Sequence, residues 1–257
     1  EGTLDDLWEQ DRNRYLSYNI NDVKILVELD TKLNYIDIAR AICHKGHVPY
    51  EFYSTTSAVL DGAVLTYLKR KGIIAPNKDR TKTYDSEKEN IQGAFVKVPQ
   101  AGLHKWVFDI DATSMYPNVI MSLNLSPETK LGKVLNWNPK QFIQGKIEQY
   151  TVVNRVNENP KTITFEHLKT FLQDENISIS GNGVMYRTDT KGLVPEILET
   201  WFDERVEFKR LRKENLLKGN KKQATIYNLK QYTQKILLNS FYGVLGSPAF
   251  RFYDLDN

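Results

Sequence analysis

The chain has 257 residues, of which 40% are hydrophobic and 26% are charged, a composition typical of an ordinary globular protein. Lys and Arg total 35 against 32 Asp and Glu, so the net charge of +3 does not identify a partner. No apolar run reaches the roughly 18 residues that a membrane-spanning helix needs, so we expect no membrane partner.

The cysteine content and the first residue bear on the chain's origin. Cys43 is the only cysteine, so an internal disulfide is excluded, and a reducing compartment is expected. The chain begins with Glu1 rather than Met, which predicts a fragment or a processed chain. Its length allows one large domain or two smaller ones.

The first third of the chain is predicted to be helical. Residues 13–42 carry apolar side chains at helical spacing and predict a helix. Residues 54–71 predict a second helix, which opens with hydroxyl residues and ends on a Lys-Arg-Lys-Gly stop signal. Residues 75–90 are polar and lack an apolar period, so we expect an exposed loop and the main internal boundary there.

Strands are predicted next, followed by two long helices. The segments "GAFVKVP" and "KWVFDID" are typical of strands, and residues 125–192 predict short strands and turns. The following helix has Pro195 at a plausible first position and Gly219 just after its end. A last helix is predicted from about Gln223 to Tyr242.

The segment "FDIDATSMYP" places two carboxylates, Asp109 and Asp111, at the end of an apolar run. On a strand the two would share one face, with Ile110 on the other. Carboxylates at a strand end that faces a cleft suit Mg²⁺, which prefers hard oxygen ligands. The alternative is that both are turn residues, or N-caps of a helix formed by "TSMYPNVIMSLN".

Basic side chains are concentrated on the two helices around Gly219. On the first helix, four of them follow helical spacing and share a face: Arg205, Lys209, Arg212 and Lys213. The second helix repeats a hydrogen-bonding set every four residues: Gln231, Lys235 and Asn239. Such a lining suits a polyphosphate, because Arg offers a fork of donors and Lys a point charge. The alternative is an ordinary solvated basic face.

Two smaller groups of polar residues are candidates for metal sites. Tyr18 and Asp22 in "YNIND" lie four apart, so on a helix they would share a face and could hold a metal-bound water. Any amphipathic helix produces such pairs, which is the alternative. Cys43, His44 and His47 lie close together, but a structural zinc needs four ligands and no second cluster exists, so zinc is rejected.

Three segments in this order resemble the motifs of family B DNA polymerases. "DATSMYP" resembles the palm motif, "KILLNSFYG" the fingers motif and "YNIND" the third exonuclease motif of that family. The surrounding segments, among them "GAFVK", "NLSPET" and "VMYRTDTKGLVPEIL", are most similar to the replicative polymerases of T-even-like tailed bacteriophages. The resemblance covers nearly the whole chain.

The resemblance implies an α+β fold that forms the central part of such a polymerase. Residues 1–90 would be the C-terminal part of the 3′-5′ exonuclease domain, with some of its helices, followed by a linker. Residues 91–197 would be the first part of the palm, a mixed or antiparallel sheet with flanking helices. Residues 198–243 would be the fingers, a two-helix antiparallel hairpin, and residues 244–257 would return to the palm.

The resemblance also implies roles for residues of the palm motif. Asp111, rather than Asp109, corresponds to the catalytic aspartate that holds both metals, and the carbonyl of Ala112 would help to hold one of them. The turn through Ser114 and Met115 would present backbone amides to the incoming triphosphate.

Further roles follow from the other matching positions. Tyr116 corresponds to the residue that stacks under the sugar and rejects a ribose 2′-hydroxyl. The triphosphate-binding positions of the family's fingers correspond to Arg205, Lys209, Lys235 and Asn239. Contacts with DNA and the nascent base pair are assigned to Gly93, Tyr242 and Gly243. Tyr18 and Asp22 correspond to the exonuclease residues that position the hydrolytic water and a metal.

The implied reaction is the attack of a primer 3′-hydroxyl on the α-phosphorus of a deoxynucleoside triphosphate. Two Mg²⁺ ions about 4 Å apart, or Mn²⁺ in their place, would stabilise the attacking and leaving oxygens. The implied partners are primer–template DNA and deoxynucleoside triphosphates, with a sliding clamp as a further candidate. If the chain is phage-encoded, its location would be the cytoplasm of a bacterial host.

The chain also departs from the family pattern. It has no Asp-Thr-Asp segment for the second polymerase aspartate, no first or second exonuclease motif and no thumb, and only 30 residues separate Arg205 from Lys235. We therefore expect a fragment or split subunit that needs a second chain with the remaining palm and thumb. The alternatives are a non-catalytic module that binds nucleotide or DNA, and an unrelated basic α/β nucleic-acid-binding protein.

Overall fold

The computed structural model describes residues 3–78, 96–155 and 159–254. Gly93 and most of the predicted boundary loop lie outside these ranges, so the expectations for them stay predictions. None of the described helices combines the length and the apolar character that crossing a bilayer requires.

Helices make up the N-terminal part of the described chain. They are α1 (Leu4–Gln10), α2 (Arg12–Leu33), α3 (Tyr35–Gly46) and α4 (Thr56–Arg70), with a short 3-10 turn at Tyr50–Phe52. The helix predicted at residues 54–71 is confirmed as α4, which supplies Val59, Leu60 and Val64 to the main core.

The prediction of one helix over residues 13–42 is wrong at a single residue. Asn34 adopts the left-handed conformation, with φ at 55°, and this ends α2. The Asp30 carboxylate then accepts a hydrogen bond from the Ile36 amide at 3.0 Å, which stabilises the first turn of α3. Asn is one of the few residues that tolerate this conformation, and apolar periodicity does not register one such residue.

A five-stranded antiparallel sheet occupies the middle of the chain, which confirms the short strands and turns predicted there. Its spatial order is β3-β2-β1-β5-β4. The strands are β1 (Lys130–Val134), β2 (Gln149–Asn154), β3 (Pro160–Thr164), β4 (Ile177–Ile179) and β5 (Val184–Arg187). Helix α6 (Pro139–Ile143) joins β1 to β2, and α7 (Phe165–Asp174) covers the sheet through a small core around Tyr150 and Leu168.

The predicted strand "KWVFDID" is wrong. Residues 105–111 form no regular element, and Asp109 and Asp111 are exposed together with Ile110 between them. A strand needs a neighbour to satisfy its backbone N–H and C=O groups, and no described strand pairs with this segment. The described part of "GAFVKVP", residues 96–99, is irregular for the same reason.

Two long helices form an antiparallel hairpin, as predicted. They are α8 (Leu193–Leu217) and α9 (Lys221–Leu245). Gly219 follows the end of α8 with φ at 72°, which confirms its predicted place. Pro195 is the third residue of α8 rather than the first, so that prediction is off by two positions; proline is tolerated there because first-turn amides have no intrahelical partner.

A short helix, α5 (Met115–Leu123), packs against both helices of the hairpin. Its C-cap, Asn124, is buried, and its side-chain amide donates to the carbonyls of Arg187 at 2.7 Å and Thr190 at 2.9 Å. The Asn124 Oδ1 atom accepts from the amide of Gly192 at 2.8 Å, immediately before α8. The end of α5 is therefore joined to the start of α8, and both helices contribute to one apolar core.

Candidate functional site

The N-terminal turn of α5 forms one side of the candidate site. Ser114 is the N-cap and is left-handed, with φ at 51°, and its side chain does not cap the helix. Such a conformation costs a non-glycine residue energy and recurs at binding sites. The Asn118 side chain donates to the Thr113 carbonyl at 2.8 Å and stabilises the turn. Because Ser114 is the N-cap, the alternative that Asp109 and Asp111 are N-caps is wrong.

Arg205 of α8 lies against this turn. Its Nη1 atom donates to the Oγ of Ser114 at 3.5 Å, and its buried Nε has no hydrogen-bond partner in the described ranges. Burial lowers the pKa of Arg205 from its usual value. A guanidinium has five N–H donors, so most of the donor capacity of Arg205 is unused within the described chain.

Two lysines complete a cationic cluster, which we define as Arg205, Lys209 and Lys235. The charge of Arg205, then burial and then the charge of Lys235 lower the pKa of Lys209, so the three cations are neighbours. No salt bridge to any of the three occurs among residues 3–78, 96–155 and 159–254. Like charges that are held together without an acid indicate a site for an anion.

Arg210, which follows Lys209 on α8, does not belong to the cationic cluster. Arg210 forms salt bridges with Glu207 at 2.6 Å and with Glu214, and these contacts raise its pKa. Arg210 therefore fits the alternative of an ordinary solvated basic face. Helical phase separates Arg210 from the cationic cluster, although it directly follows Lys209 in sequence.

Tyr116 and Tyr242 close the other side of the site. Their rings stack with centroids 4.5 Å apart and planes inclined by 13°, and each residue is more than 40% exposed. No pattern in the sequence predicts this contact between α5 and α9. Asn239 is exposed one turn from Lys235, and Met115 is exposed beside Tyr116.

Gly243 is an interior residue of α9, and packing within the described fold does not require a glycine there. A Cβ atom built there would meet nothing within 4 Å. Glycine in a helix costs about 1 kcal/mol relative to alanine, so a residue with a side chain would stabilise α9. The open flank beside Tyr242 fits the close approach of a partner molecule.

The residues predicted to bind metal lie in exposed parts of the described chain. Asp111 and Ala112 are exposed in the irregular segment before α5. Tyr18 and Asp22 lie on α2, which buries none of its residues. Within the described ranges, no three His, Cys, Asp or Glu residues form a group that could hold a metal.

Two residues that the sequence did not single out lie directly behind the cationic cluster. Glu204 precedes Arg205 on α8, and Gln234 precedes Lys235 on α9. Their side chains form a hydrogen bond between the two helices. The only sequence signal for Glu204 and Gln234 is that each directly precedes a predicted basic site residue.

Comparisons with known proteins agree on one family. Residues 49–256 match the family model described as DNA polymerase family B. The chain is 26% identical over its whole length to the DNA-directed DNA polymerases of Enterobacteria phage T4 and Escherichia phage RB69, and it covers 31% of each. DNA polymerase 1 of Pyrococcus abyssi is 25% identical over 96% of the chain, which covers 27% of that protein.

A solved structure agrees with the fold. The family B DNA polymerase of the hyperthermophilic archaeon Pyrobaculum calidifontis matches 97% of the chain with a TM-score of 0.65 and 22% identity. The chain covers 28% of that structure. The chain thus spans less than a third of the length of each of these relatives.

Proposed function

The chain belongs to DNA polymerase family B, and on this premise we propose that it is the part of a DNA-directed DNA polymerase that binds the incoming deoxynucleoside triphosphate and carries one catalytic aspartate. The observation that carries the proposal is the meeting of two distant motifs. Arg205 of the hairpin donates to Ser114 of the α5 turn, with Lys209 and Lys235 beside it.

The triphosphate would lie between the cationic cluster and the start of α5. Arg205, Lys209 and Lys235 would bind phosphate oxygens through charge-assisted hydrogen bonds, and Asn239 would add a neutral donor. The backbone amides of Met115 and Tyr116, the first two residues of α5, have no intrahelical partner and would face the same anion beside Ser114.

The base and sugar would lie on the tyrosine side of the site. Tyr116 would contact the sugar, and Tyr242 with Gly243 would contact the nascent base pair and the template. The stacked pair supports this role because both tyrosines are partly exposed and Tyr116 lies two residues after Ser114, the contact of Arg205. Gly93 is proposed as a further DNA contact.

The chemistry would be an in-line displacement at the α-phosphorus. The primer 3′-hydroxyl attacks, the bond to pyrophosphate breaks, and the cationic cluster stabilises the charge that builds up on the leaving oxygens. Asp111 and the Ala112 carbonyl would hold a divalent cation, Mg²⁺ or Mn²⁺, which offsets phosphate charge when bound. Two such ions need a second carboxylate, and within the described ranges Asp111 belongs to no group of three or more His, Cys, Asp or Glu residues that could hold a metal.

The remaining machinery would lie outside these residues. A second palm aspartate and a thumb would come from further polypeptide, on this chain or on a second one, and primer–template DNA and a sliding clamp are the proposed macromolecular partners. Tyr18 and Asp22 are proposed as residues of a 3′-5′ exonuclease site that is likewise completed elsewhere.

We expect that these 257 residues alone do not extend a primer. One carboxylate cannot offset the mutual repulsion of two divalent ions, and few phosphate contacts are available to hold duplex DNA. Primer extension with Mg²⁺ and all four deoxynucleotides should show no product. Addition of a polypeptide with the remaining palm and thumb should restore extension with the wild-type chain only, and not with Asp111→Asn.

The same assay decides the alternative of a non-catalytic binding module. Such a module would bind nucleotide or primer–template but give no product with any complementing polypeptide. Extension by the unaided chain would contradict our assignment of the metal ligands.

Tyr116→Ala is expected to admit ribonucleotides in the complete polymerase. The aromatic ring would exclude a 2′-hydroxyl by steric clash, and alanine removes both the ring and its stack on Tyr242. Competition between a ribo- and a deoxynucleoside triphosphate should show a selectivity ratio at least about tenfold lower. Tyr116→Phe keeps the ring and should keep the selectivity, and an unchanged ratio for Tyr116→Ala would remove Tyr116 from the sugar site.

A further inference from the structure

We propose that Gln234 is a positioning residue for nucleotide binding, which holds Lys235 at its place in the cationic cluster through a hydrogen bond to Glu204. The inference rests on the proposed function, in which Lys235 and Arg205 bind the triphosphate. It assigns a role to two residues that do not themselves touch the substrate.

One carboxylate oxygen connects three helices behind the cationic cluster. The Oε2 atom of Glu204 on α8 accepts from Lys45 Nζ of α3 at 2.7 Å and from Gln234 Nε2 of α9. Lys45 is itself held over the ring of Trp201, with Nζ 5.6 Å from the ring centroid. The Glu204–Gln234 bond is therefore a fixed link between α8 and α9.

Stability alone does not account for a glutamine at this place. Gln234 is 2% exposed, and its Oε1 atom has no hydrogen-bond partner among the residues that the structure describes. Rotating the amide would direct Oε1 at the Glu204 carboxylate, so the bond to Glu204 sets its orientation. An unsatisfied buried acceptor is costly, and an apolar side chain of similar size would avoid that cost.

The Glu204–Gln234 hydrogen bond lies where positive charges on α8 and α9 repel each other. Glu204 directly precedes Arg205, and Gln234 directly precedes Lys235, so the bond joins the helices at the level of the cationic cluster. Lys209 on α8 and Lys235 on α9 are close enough that the charge of Lys235 helps to lower the pKa of Lys209, so these like charges repel each other and favour separation of the two helices. The bond opposes this separation and keeps both cations within reach of one triphosphate.

The test is Gln234→Leu in the complete polymerase, assayed by steady-state kinetics on primed DNA. We expect the KM for the deoxynucleotide to rise by about five- to tenfold with kcat within about twofold, because the cations are displaced rather than removed. The thermal midpoint should not fall, since leucine removes the unsatisfied acceptor. A lower midpoint together with a lower kcat would indicate a structural role and overturn the proposal.

Two further variants make the test specific. Glu204→Ala breaks the same bond from the partly exposed side together with the Lys45 salt bridge, so it should raise KM at least as much, and it keeps the test open if Gln234→Leu misfolds. Glu207→Gln is the matched control, because this α8 carboxylate bonds to Arg210 and not to α9. An equal rise in KM in the control would overturn the proposal.

A double-mutant cycle tests whether Gln234 acts through Lys235. In a Lys235→Ala background, Gln234→Leu should cause no further rise in KM. The same multiplicative rise in both backgrounds would overturn the inference. A normal KM for Gln234→Leu together with a raised KM for Lys235→Ala would also overturn the inference. That outcome would leave the proposed function intact. A normal KM for Lys235→Ala would overturn both.

Discussion

Asp111→Asn should lower the rate of nucleotide addition by the complete polymerase by about a thousandfold or more, because a divalent cation contributes several kcal/mol of charge stabilisation and its carboxylate ligand is lost. Asn keeps the size of the side chain but not its charge. Asp111 is exposed and precedes α5 in an irregular segment, so the substitution should not destabilise the fold. Single-turnover extension of a primed template measures the change.

The matched control for this experiment is Asp109→Asn. Asp109 is also an exposed carboxylate, two residues earlier in the same irregular segment. We expect its substitution to change the rate by less than about threefold, as is usual for a surface residue outside a site. If Asp109→Asn were the inactive variant, the metal ligand would have to be assigned to Asp109 instead. Both variants should bind primer–template DNA with unchanged affinity.

Lys235→Ala should reduce the catalytic efficiency for deoxynucleotide incorporation by tenfold or more. A charge-assisted hydrogen bond to phosphate is worth about 1.5–3 kcal/mol, which corresponds to roughly 10- to 150-fold. Lys235 has no salt bridge partner in the described part of the chain, so its removal leaves no acid unpaired. Steady-state kinetics with varied nucleotide concentration measure the loss.

Lys230→Ala is the matched control on the same helix. The Nζ of Lys230 lies over the rings of Phe208 and Tyr227, at 5.5 Å and 5.9 Å from the centroids, rather than in the cationic cluster. Its removal should leave catalytic efficiency within about twofold. Equal losses in the two variants would show that general positive charge on α9 matters and that Lys235 has no special place.

Local sequence patterns were reliable where an element depends on its own residues. The helical period, the stop signal and Gly219 predicted α4 and the α8–α9 hairpin. The same reasoning failed for "KWVFDID", because a strand is completed by a neighbour that a local pattern does not report. It also missed the break at Asn34, where one left-handed residue redirects a helix without changing the apolar period.

The sequence by itself determined the family, the two motifs and the helical phase that places Arg205 and Lys209 on one face of α8. Only the tertiary structure decided which of these residues meet. Arg205 reaches Ser114 across 91 residues of chain, and Tyr116 stacks on Tyr242, because the buried joint between α5 and α8 and the shared core bring the helices together. Periodicity reports only the neighbours of a residue within its own helix, whereas contacts between helices depend on how their apolar faces pack.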